Sequence, residues 1–280
     1  MSLRARAPGK VNLCLFVGEP REDGLHPLVS VVQALSLADE LTLEPGAGSA
    51  DEVVCPGVEG PNLAARALEL FREATGWDAP PQRLTIDKRI PVAAGMGGGS
   101  SDAAATLRLA AHAAGRAVPP DLGPRLGADV PSLLRPGRVL MTGAGEHVDR
   151  LAEPGPLGVL VLPVDAALST PAVYREADRL GLARSHAELA EIDARVRAAP
   201  DEIHNDLQDA ARSLCPAIDA ALDAARAAGA DHALVSGSGP TVVGLFTGAD
   251  GPGRARGAAG AWPRAVAAEP VGEEWAAVRA

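Results

Sequence analysis

Apolar and polar residues alternate over residues 10–18, and this pattern predicts a strand near the start of the chain. Lys10 and Asn12 fall together on the polar face of that strand. Residues 4–7 predict a shorter strand before it, and Pro8-Gly9 predicts a turn between the two. A single lysine at a strand end is most often a solvated charge, so the pattern alone assigns Lys10 no chemistry.

Strands and helices are interspersed along the rest of the chain, which is typical of an α/β or α+β protein. Two prolines and a glycine over residues 151–156 predict a domain boundary, giving domains 1–153 and 154–280. The Gly/Ala-rich segment 248–260 is expected to be mobile. Further strands are predicted over residues 28–37, 40–44, 84–90, 138–142, 158–163, 232–235, 241–246 and 265–271, and helices over residues 63–75, 103–114, 170–180, 185–199, 205–214 and 216–228.

A glycine-rich loop separates the strand predicted over residues 84–90 from the helix predicted over residues 103–114. Glycine has no Cβ, so its backbone amide can approach a phosphate closely, and the positive end of a helix dipole favours binding of the phosphate. The loop therefore predicts a phosphate site. The alternative is a structural turn in which Ser100, Ser101 or Asp102 caps the helix. The loop consists of Pro91, Val92, Ala93, Ala94, Gly95, Met96, Gly97, Gly98, Gly99, Ser100 and Ser101.

The loop matches neither common nucleotide fingerprint. It lacks the Gly-Lys-Ser/Thr ending of a P-loop, and Ser100 stands where the last glycine or alanine of a dinucleotide loop belongs. Two other features are ambiguous. Asp129 precedes Pro131 at a predicted helix start and could simply be a cap. The second glycine turn, residues 236–240, fits either a hairpin or a backbone that approaches a ligand.

Composition narrows the classes of partner. The net charge of −10 argues against a nucleic-acid surface, which needs clustered lysine and arginine. Cys14, Cys55 and Cys215 are odd in number and lack metal spacing, so we expect buried free thiols in a reducing cytosol. No signal peptide or membrane span is predicted, which favours a cytoplasmic protein without a membrane partner. Monomer and homodimer both remain open.

Three stretches together resemble the GHMP kinase superfamily, and they occur in the superfamily's order and spacing. They are Pro8-Gly9-Lys10-Val11-Asn12, the loop from Pro91 to Ser101, and Ser236-Gly237-Ser238-Gly239-Pro240. The resemblance implies a two-domain α+β fold. The N-terminal half would resemble the second domain of ribosomal protein S5, and the C-terminal half would be ferredoxin-like, with a small-molecule substrate in the cleft between them.

Other segments narrow the resemblance to one branch of the superfamily, whose substrate is a cytidine-diphosphate-linked methylerythritol of the non-mevalonate isoprenoid pathway. These segments include Asp23-Gly24-Leu25-His26, Leu126–Pro131 and Asn205-Asp206. The branch implies transfer of the γ-phosphoryl group of ATP, with Mg²⁺, to the 2-hydroxyl of the methylerythritol unit. In this chain, Leu25 replaces a tyrosine that stacks on the cytosine in the family.

The resemblance also assigns roles to individual residues. Asp129 would accept the hydroxyl proton, and Lys10 would keep Asp129 ionised. The loop from Pro91 to Ser101 would bind ATP, with Ser100 or Ser101 as possible Mg²⁺ contacts and no dedicated metal ligand. Asn12, His26, Thr170 and Tyr174 would face the substrate, and Gly237, Ser238 and Gly239 would form the late glycine turn.

Two alternatives remain open at this point. The first is another GHMP kinase whose alcohol substrate lacks a cytosine, which Leu25 would suit. The second is a non-catalytic relative that binds nucleotide for regulation. The presence of both Lys10 and Asp129 speaks against the second alternative, because a protein that only binds nucleotide needs neither residue.

Overall fold

Two β-sheets and the helices packed on them form the part of the chain that the computed structural model describes, residues 2–58, 60–92 and 95–280. The strands are β1 (Leu3–Val17), β2 (Leu28–Pro45), β3 (Glu52–Val54), β4 (Gln82–Asp87), β5 (Arg138–Gly143), β6 (His147–Arg150), β7 (Leu157–Leu162), β8 (His204–Asn205), β9 (His232–Val235), β10 (Val242–Thr247) and β11 (Val266–Ala268). The helices are α1 (Leu63–Thr75), α2 (Gly98–Ala114), α3 (Leu122–Leu126), α4 (Val130–Leu134), α5 (Thr170–Leu180), α6 (His186–Ala198), α7 (Gln208–Leu214), α8 (Ala217–Ala227) and α9 (Gly251–Gly257).

The first sheet is built around the long antiparallel pair β1 and β2. Its strand order is β3-β4-β2-β1-β8, and β5 pairs with the first part of β2 and with β6. The prediction of two strands separated by a turn at Pro8-Gly9 is wrong, because β1 runs without a break from Leu3 to Val17. The pairing register with β2 shifts between Pro8 and Lys10, so the chain forms a bulge there and the sheet continues.

The second sheet is antiparallel, in the order β11-β7-β10-β9, and lies after the predicted boundary at residue 153. Segments from the second half of the chain also pair with the first half. β8 pairs in parallel with β1, and the amide of Val271 donates to the carbonyl oxygen of Ala34 at 3.0 Å. Apolar side chains from both halves, such as Val11 and Val159, pack in one buried cluster. The boundary between domains 1–153 and 154–280 stays a prediction.

The ends of the helices show how local chemistry places them. α1 begins after Asn62, whose side chain accepts from the amide of Ala64 at 2.9 Å, as its capping residue type predicts. α2 begins at Gly98, five residues before the predicted start. Gly97 precedes it with a φ of 65°, so the glycine loop turns directly into the helix.

The segment over residues 248–260, which was expected to be mobile, contains regular secondary structure. Gly251–Gly257 form α9 and Ala258–Ala261 a 3-10 turn, because small residues let this segment lie directly on the second sheet. A Cβ on Gly158 of β7 would lie 2.3 Å from the carbonyl oxygen of Gly251. In the described part of the chain, no helix has the length and apolar character needed to cross a membrane.

Candidate active site

A cavity of about 570 Å³ lies where the glycine loop, the start of α4 and the late glycine turn meet. Its walls combine elements that are far apart in sequence. Most of the predicted site residues that the structure describes line it, namely Lys10, Asn12, Pro91, Val92, Gly95, Met96, Gly97, Gly98, Gly99, Ser100, Asp129, Thr170, Tyr174, Gly237, Ser238 and Gly239. Ala93 and Ala94, predicted to bind ATP, lie outside the described residues.

Lys10 and Asp129 form an ion pair in this cavity, with 3.4 Å between Nζ and Oδ2. The Lys10 ammonium group also donates to Oδ1 of Asn12 at 2.8 Å, and Asn12 in turn donates to the hydroxyl of Ser30 at 2.8 Å. The Ser30 hydroxyl donates to the carbonyl oxygen of Cys14. This chain of hydrogen bonds holds the ammonium group in one place on a strand that is otherwise buried.

Asp129 owes its position to the short helix α4. It is the N-cap residue, Pro131 occupies the first turn, and the Ser132 hydroxyl donates to the Asp129 carbonyl oxygen at 2.7 Å. The Asp129 side chain makes no capping hydrogen bond to the helix and keeps 31% of its surface exposed. Its carboxylate is therefore available to a molecule in the cavity, which a purely structural cap would not be.

The glycine loop packs tightly against β1. The amide of Lys10 donates to the carbonyl oxygen of Met96 at 2.9 Å, and the Ser101 hydroxyl donates to that of Pro8 at 2.7 Å. A Cβ on Gly97 would lie only 3.0 Å from Cγ of Lys10. Ser101 is fully buried and does not reach the cavity, whereas Ser100 lines it. The open end of α2 thus faces the cavity with its first amides.

The late glycine turn, residues 236–240, packs against the glycine loop and also lines the cavity. The Ser236 hydroxyl donates to the carbonyl oxygen of Gly95 at 3.3 Å, and Thr170 shares a hydrogen bond of 2.9 Å with Ser238. Thr170 is the first residue of α5, and Ser169 precedes it as the cap. The side-chain amide of Asn205 stabilises the turn by donating to the carbonyl oxygen of Gly237 at 2.8 Å.

His26 and Tyr174 occupy different positions relative to the cavity. Tyr174 lines it, and burial, with the negative charge of Asp129 nearby, raises the pKa of its phenol to about 12. His26 does not line the cavity. Its ring packs on that of Tyr174 with 5.1 Å between centroids, and its Nδ1 donates to the carbonyl oxygen of Gly18 at 2.8 Å.

A cluster of three charged residues, which no sequence pattern predicted, lies at the cavity wall. Nζ of Lys88 lies 2.5 Å from Oδ2 of Asp39 and 2.8 Å from Oδ2 of Asp102. Burial would lower the pKa of Lys88, but the hydrogen bonds and charges of the two carboxylates raise it. Burial raises the pKa of Asp102 to about 7, against the opposing effect of Lys88. No local pattern could have signalled this cluster, because its members come from separate elements.

The cysteines are free, as predicted, but only two of them are buried. Burial raises the pKa of the Cys14 thiol to about 11, so it is an unreactive core residue. Cys55 is half-buried and lines the cavity, which corrects the expectation of three buried thiols. Within the described residues, no three His, Cys, Asp or Glu side chains lie close enough together to hold a metal ion.

Comparison with known proteins gives matches across both halves of the chain. Profiles described as GHMP kinases N terminal domain and GHMP kinases C terminal match residues 62–131 and 181–268. Proteins named 4-diphosphocytidyl-2-C-methyl-D-erythritol kinase are similar to it. The one from Streptomyces coelicolor is 44% identical over 267 residues, covering 88% of each chain. The one from Kineococcus radiotolerans is 42% identical over 265 residues, covering 86% of this chain and 81% of the relative.

A solved structure extends the similarity to three dimensions. A crystal structure of 4-(cytidine 5'-diphospho)-2C-methyl-D-erythritol kinase superposes with a TM-score of 0.77 at 36% sequence identity. The superposition covers 96% of this chain and 100% of the chain in that crystal structure. The similarity therefore extends over nearly the whole chain.

Gly95 should be the most sensitive glycine of the loop. Its φ is 72°, and a Cβ there would lie 2.4 Å from the carbonyl oxygen of Ser236. We expect Gly95→Ala to lower the free energy of unfolding by about 2 kcal/mol or more, measured by chemical denaturation. Gly99→Ala is the matched control, because a Cβ there meets nothing within 4 Å and Gly99 is helical. Equal free energies of unfolding for the two variants would contradict the tight contact between the glycine loop and the late glycine turn.

Proposed function

Because this chain belongs to the 4-diphosphocytidyl-2-C-methyl-D-erythritol kinase family of the GHMP kinases, we propose that it phosphorylates the 2-hydroxyl of that cytidyl substrate with ATP. The reaction belongs to the non-mevalonate pathway to isoprenoid precursors. Family membership confirms the superfamily resemblance and the two-domain α+β fold predicted from the sequence. The observation that carries the proposal is the ion pair of Lys10 and Asp129 beside the glycine loop.

Asp129 acts in this proposal as the general base. Its carboxylate accepts the proton of the substrate hydroxyl while that oxygen attacks the γ-phosphorus of ATP and ADP leaves. Lys10 keeps the carboxylate in place and stabilises the negative charge that develops on the attacking oxygen. Phosphoryl transfer needs alignment and positive charge more than covalent help from the protein, and a base paired with a buried lysine supplies both.

The glycine loop binds the phosphates of ATP in this proposal. The first amides of α2 have no partner within the helix and face the cavity, where they can donate to phosphate oxygens. Mg²⁺, which prefers oxygen ligands, would neutralise charge on the phosphates. Ser100 offers it a hydroxyl at the cavity wall, but Ser101 does not, because Ser101 is fully buried and does not line the cavity. Mg²⁺ would therefore bind mainly to the nucleotide.

The acceptor substrate lies across the cavity from the loop in this proposal. Asn12, Thr170 and Tyr174 line that region and offer an amide, a hydroxyl and an aromatic ring. His26 contributes by packing on the Tyr174 ring. We also propose that the protein works in the cytoplasm on this small molecule, without nucleic acid or membrane, as a monomer or homodimer.

The direct test is an assay of the purified protein with ATP, Mg²⁺ and 4-diphosphocytidyl-2-C-methyl-D-erythritol. We expect formation of ADP together with the 2-phosphate of the substrate, measured by coupled spectrophotometry and mass spectrometry. If no product forms from this substrate but mevalonate or homoserine is phosphorylated, the proposed substrate is wrong and the proposed kinase activity is retained. Absence of turnover with every acceptor would favour the regulatory, non-catalytic alternative.

Replacing Asp129, the proposed base, should impair the chemical step without impairing the binding of ATP. We expect Asp129→Asn to reduce kcat by at least about a hundredfold, because the amide cannot accept the hydroxyl proton, while ATP still binds. Asp121→Asn is the matched control. Asp121 has the same N-cap position on α3, pairs with Arg125 at the surface and lies outside the cavity. Substantial residual activity of Asp129→Asn would remove Asp129 from the role of base.

Leu25 favours the second candidate, a kinase whose substrate lacks a cytosine. Its side chain is 52% exposed and does not line the cavity, so it gives little of the stacking that an aromatic ring would provide. If the substrate is cytidyl, Leu25→Tyr should lower its KM by about fivefold or more, since stacking on a base contributes about 1–3 kcal/mol. Leu214→Tyr, at another exposed leucine, is the control. An unchanged KM would mean that the cytosine is held by other residues.

A further inference from the structure

Asp206 is a buried carboxylate outside the cavity, with only 5% of its side chain exposed. Its Oδ1 accepts from Nη2 of Arg184 and from Nε2 of His204, both at 2.6 Å. Its Oδ2 accepts from Nε of Arg184 and from the amide of Val17, both at 3.1 Å. Burial would raise the pKa of Asp206, but these hydrogen bonds lower it, so the carboxylate stays ionised. One side chain thus joins three separate segments of the chain.

The first of these segments is the end of β1, where the loop that carries His26 begins. The amide of Gly18, the residue after β1, donates to the carbonyl oxygen of Pro27 at 2.7 Å, so the two ends of the loop meet there. The carbonyl oxygen of Gly18 accepts from Nδ1 of His26 at 2.8 Å. Because Asp206 holds the amide of Val17, directly before Gly18, it fixes the base of this loop.

The second segment follows α5, the helix whose Tyr174 lines the cavity. The amide of Arg184 donates to the carbonyl oxygen of Val17 at 2.8 Å, and the carbonyl oxygen of Arg184 accepts from the amide of Glu19 at 3.0 Å. The Arg184 guanidinium group then bonds to both oxygens of Asp206, a geometry that the planar fork of arginine favours. The segment after α5 is therefore tied to the end of β1.

The third segment is β8, which holds Asp206 itself in place. The amide of Asp206 donates to the carbonyl oxygen of Leu15 at 2.9 Å and continues the pairing of β8 with β1. The side chain of the neighbouring Asn205 donates to the carbonyl oxygens of Val235 and Gly237, both at 2.8 Å. The backbone of Asp206 is thus fixed independently of its own carboxylate.

The Asp206 carboxylate is the contact that the base of the loop and the segment after α5 share. Removing one partner of a buried ion pair leaves the other charge uncompensated, which is costly and loosens the segments that the pair joined. In the described part of the chain, the hydrogen bonds of Asp206 reach neither the glycine loop nor the ion pair of Lys10 and Asp129. Loss of the carboxylate should therefore disturb the acceptor side of the cavity and not the ATP side.

We propose that Asp206 is a positioning residue for the acceptor substrate, whose carboxylate, paired with Arg184, holds the loop that carries His26 against the helix that carries Tyr174. This inference rests on the proposed function in taking a cytidyl acceptor that binds beside Tyr174. The rival explanation is that the ion pair of Asp206 and Arg184 only stabilises the fold.

The two explanations differ in which kinetic constant changes. We would measure kcat and the KM values of ATP and of the cytidyl substrate for the unchanged protein, Asp206→Asn and Asp231→Asn. Asp206→Asn should raise the KM of the cytidyl substrate about tenfold or more and change the KM of ATP by less than about twofold. Asp231→Asn is the matched control and should change neither KM. Asp231 also pairs with an arginine, Arg254, and accepts a backbone amide, that of Thr247, but does not line the cavity.

Equal increases in the two KM values of Asp206→Asn would overturn the proposal in favour of a purely structural role. So would a lower free energy of unfolding with both KM values unchanged. If Asp206→Asn fails to fold, Arg184→Lys decides, because the Arg184 side chain is 34% exposed and lysine keeps the charge. Lysine cannot bond to both carboxylate oxygens as the fork does, so this variant should raise the KM of the cytidyl substrate about threefold or more.

Hydrogen exchange measured by mass spectrometry supplies a readout that needs no substrate. In Asp206→Asn, the amides of residues 16–27 and 177–184 should exchange faster than in the unchanged protein, whereas those of α2 should not. Equal acceleration in α2 would overturn the proposal, because it indicates a general loss of stability. If the unchanged protein does not phosphorylate the cytidyl substrate but the acceleration is confined to those two segments, the proposed function is wrong and the role of Asp206 in holding them is retained.

Discussion

The contact of Lys10 with Asp129 across Gly97 is the constraint on which the rest of the site depends. Removing two charges from water is costly, so such a pair persists only where other groups hold it in good geometry. Here Asn12 and Ser30 orient the ammonium group, and the N-terminus of α4 presents the carboxylate. A side chain at Gly97 would fill the space between the pair and the loop. The glycine is thus needed for the ion pair as well as for the turn.

The same contact explains much of the architecture around the cavity. β1 must bulge near Pro8 and Lys10 so that its backbone can bond to the loop and its lysine can reach the cavity. The late glycine turn then packs on Gly95, and Asn205 ties that turn to the end of β8, which pairs with β1. Elements from both halves of the chain therefore converge on one strand. Without that convergence, the ion pair of Lys10 and Asp129 and the glycine loop would not share one cavity.

Sequence patterns predicted the features that depend on local chemistry. Asn62 and Gly76 cap α1 as their residue types indicate, and β9 has the predicted bounds. The family resemblance placed Lys10 and Asp129 in one site, and the structure brings the two side chains together. Periodicity alone could not have done so, because a lysine at a strand end and an aspartate at a helix start each have an ordinary structural explanation.

Long-range contacts account for what the sequence could not predict. Lys88 and Asp102 are ordinary polar residues in a local pattern, and only the packing of α2 on the first sheet brings them together. His26 packs on the Tyr174 ring, which comes from a distant helix, and does not line the cavity. The start of α2 was missed because Gly97 ends the loop with a left-handed residue, which a sequence with four closely spaced glycines does not specify.

In the proposed reaction, the ATP side and the acceptor side of the cavity differ in how strongly their residues are constrained. On the donor side, backbone contacts of Gly95 and Gly97 and buried ion pairs leave little freedom for substitution. On the acceptor side, Thr170 and Tyr174 come from one helix, and Leu25 lies exposed on a turn. A change there removes stacking area without unpairing a buried charge. In the proposed reaction, Leu25 therefore bears on the choice of acceptor and not on the transfer of the phosphoryl group, because a change at Leu25 leaves the ion pair of Lys10 and Asp129 intact.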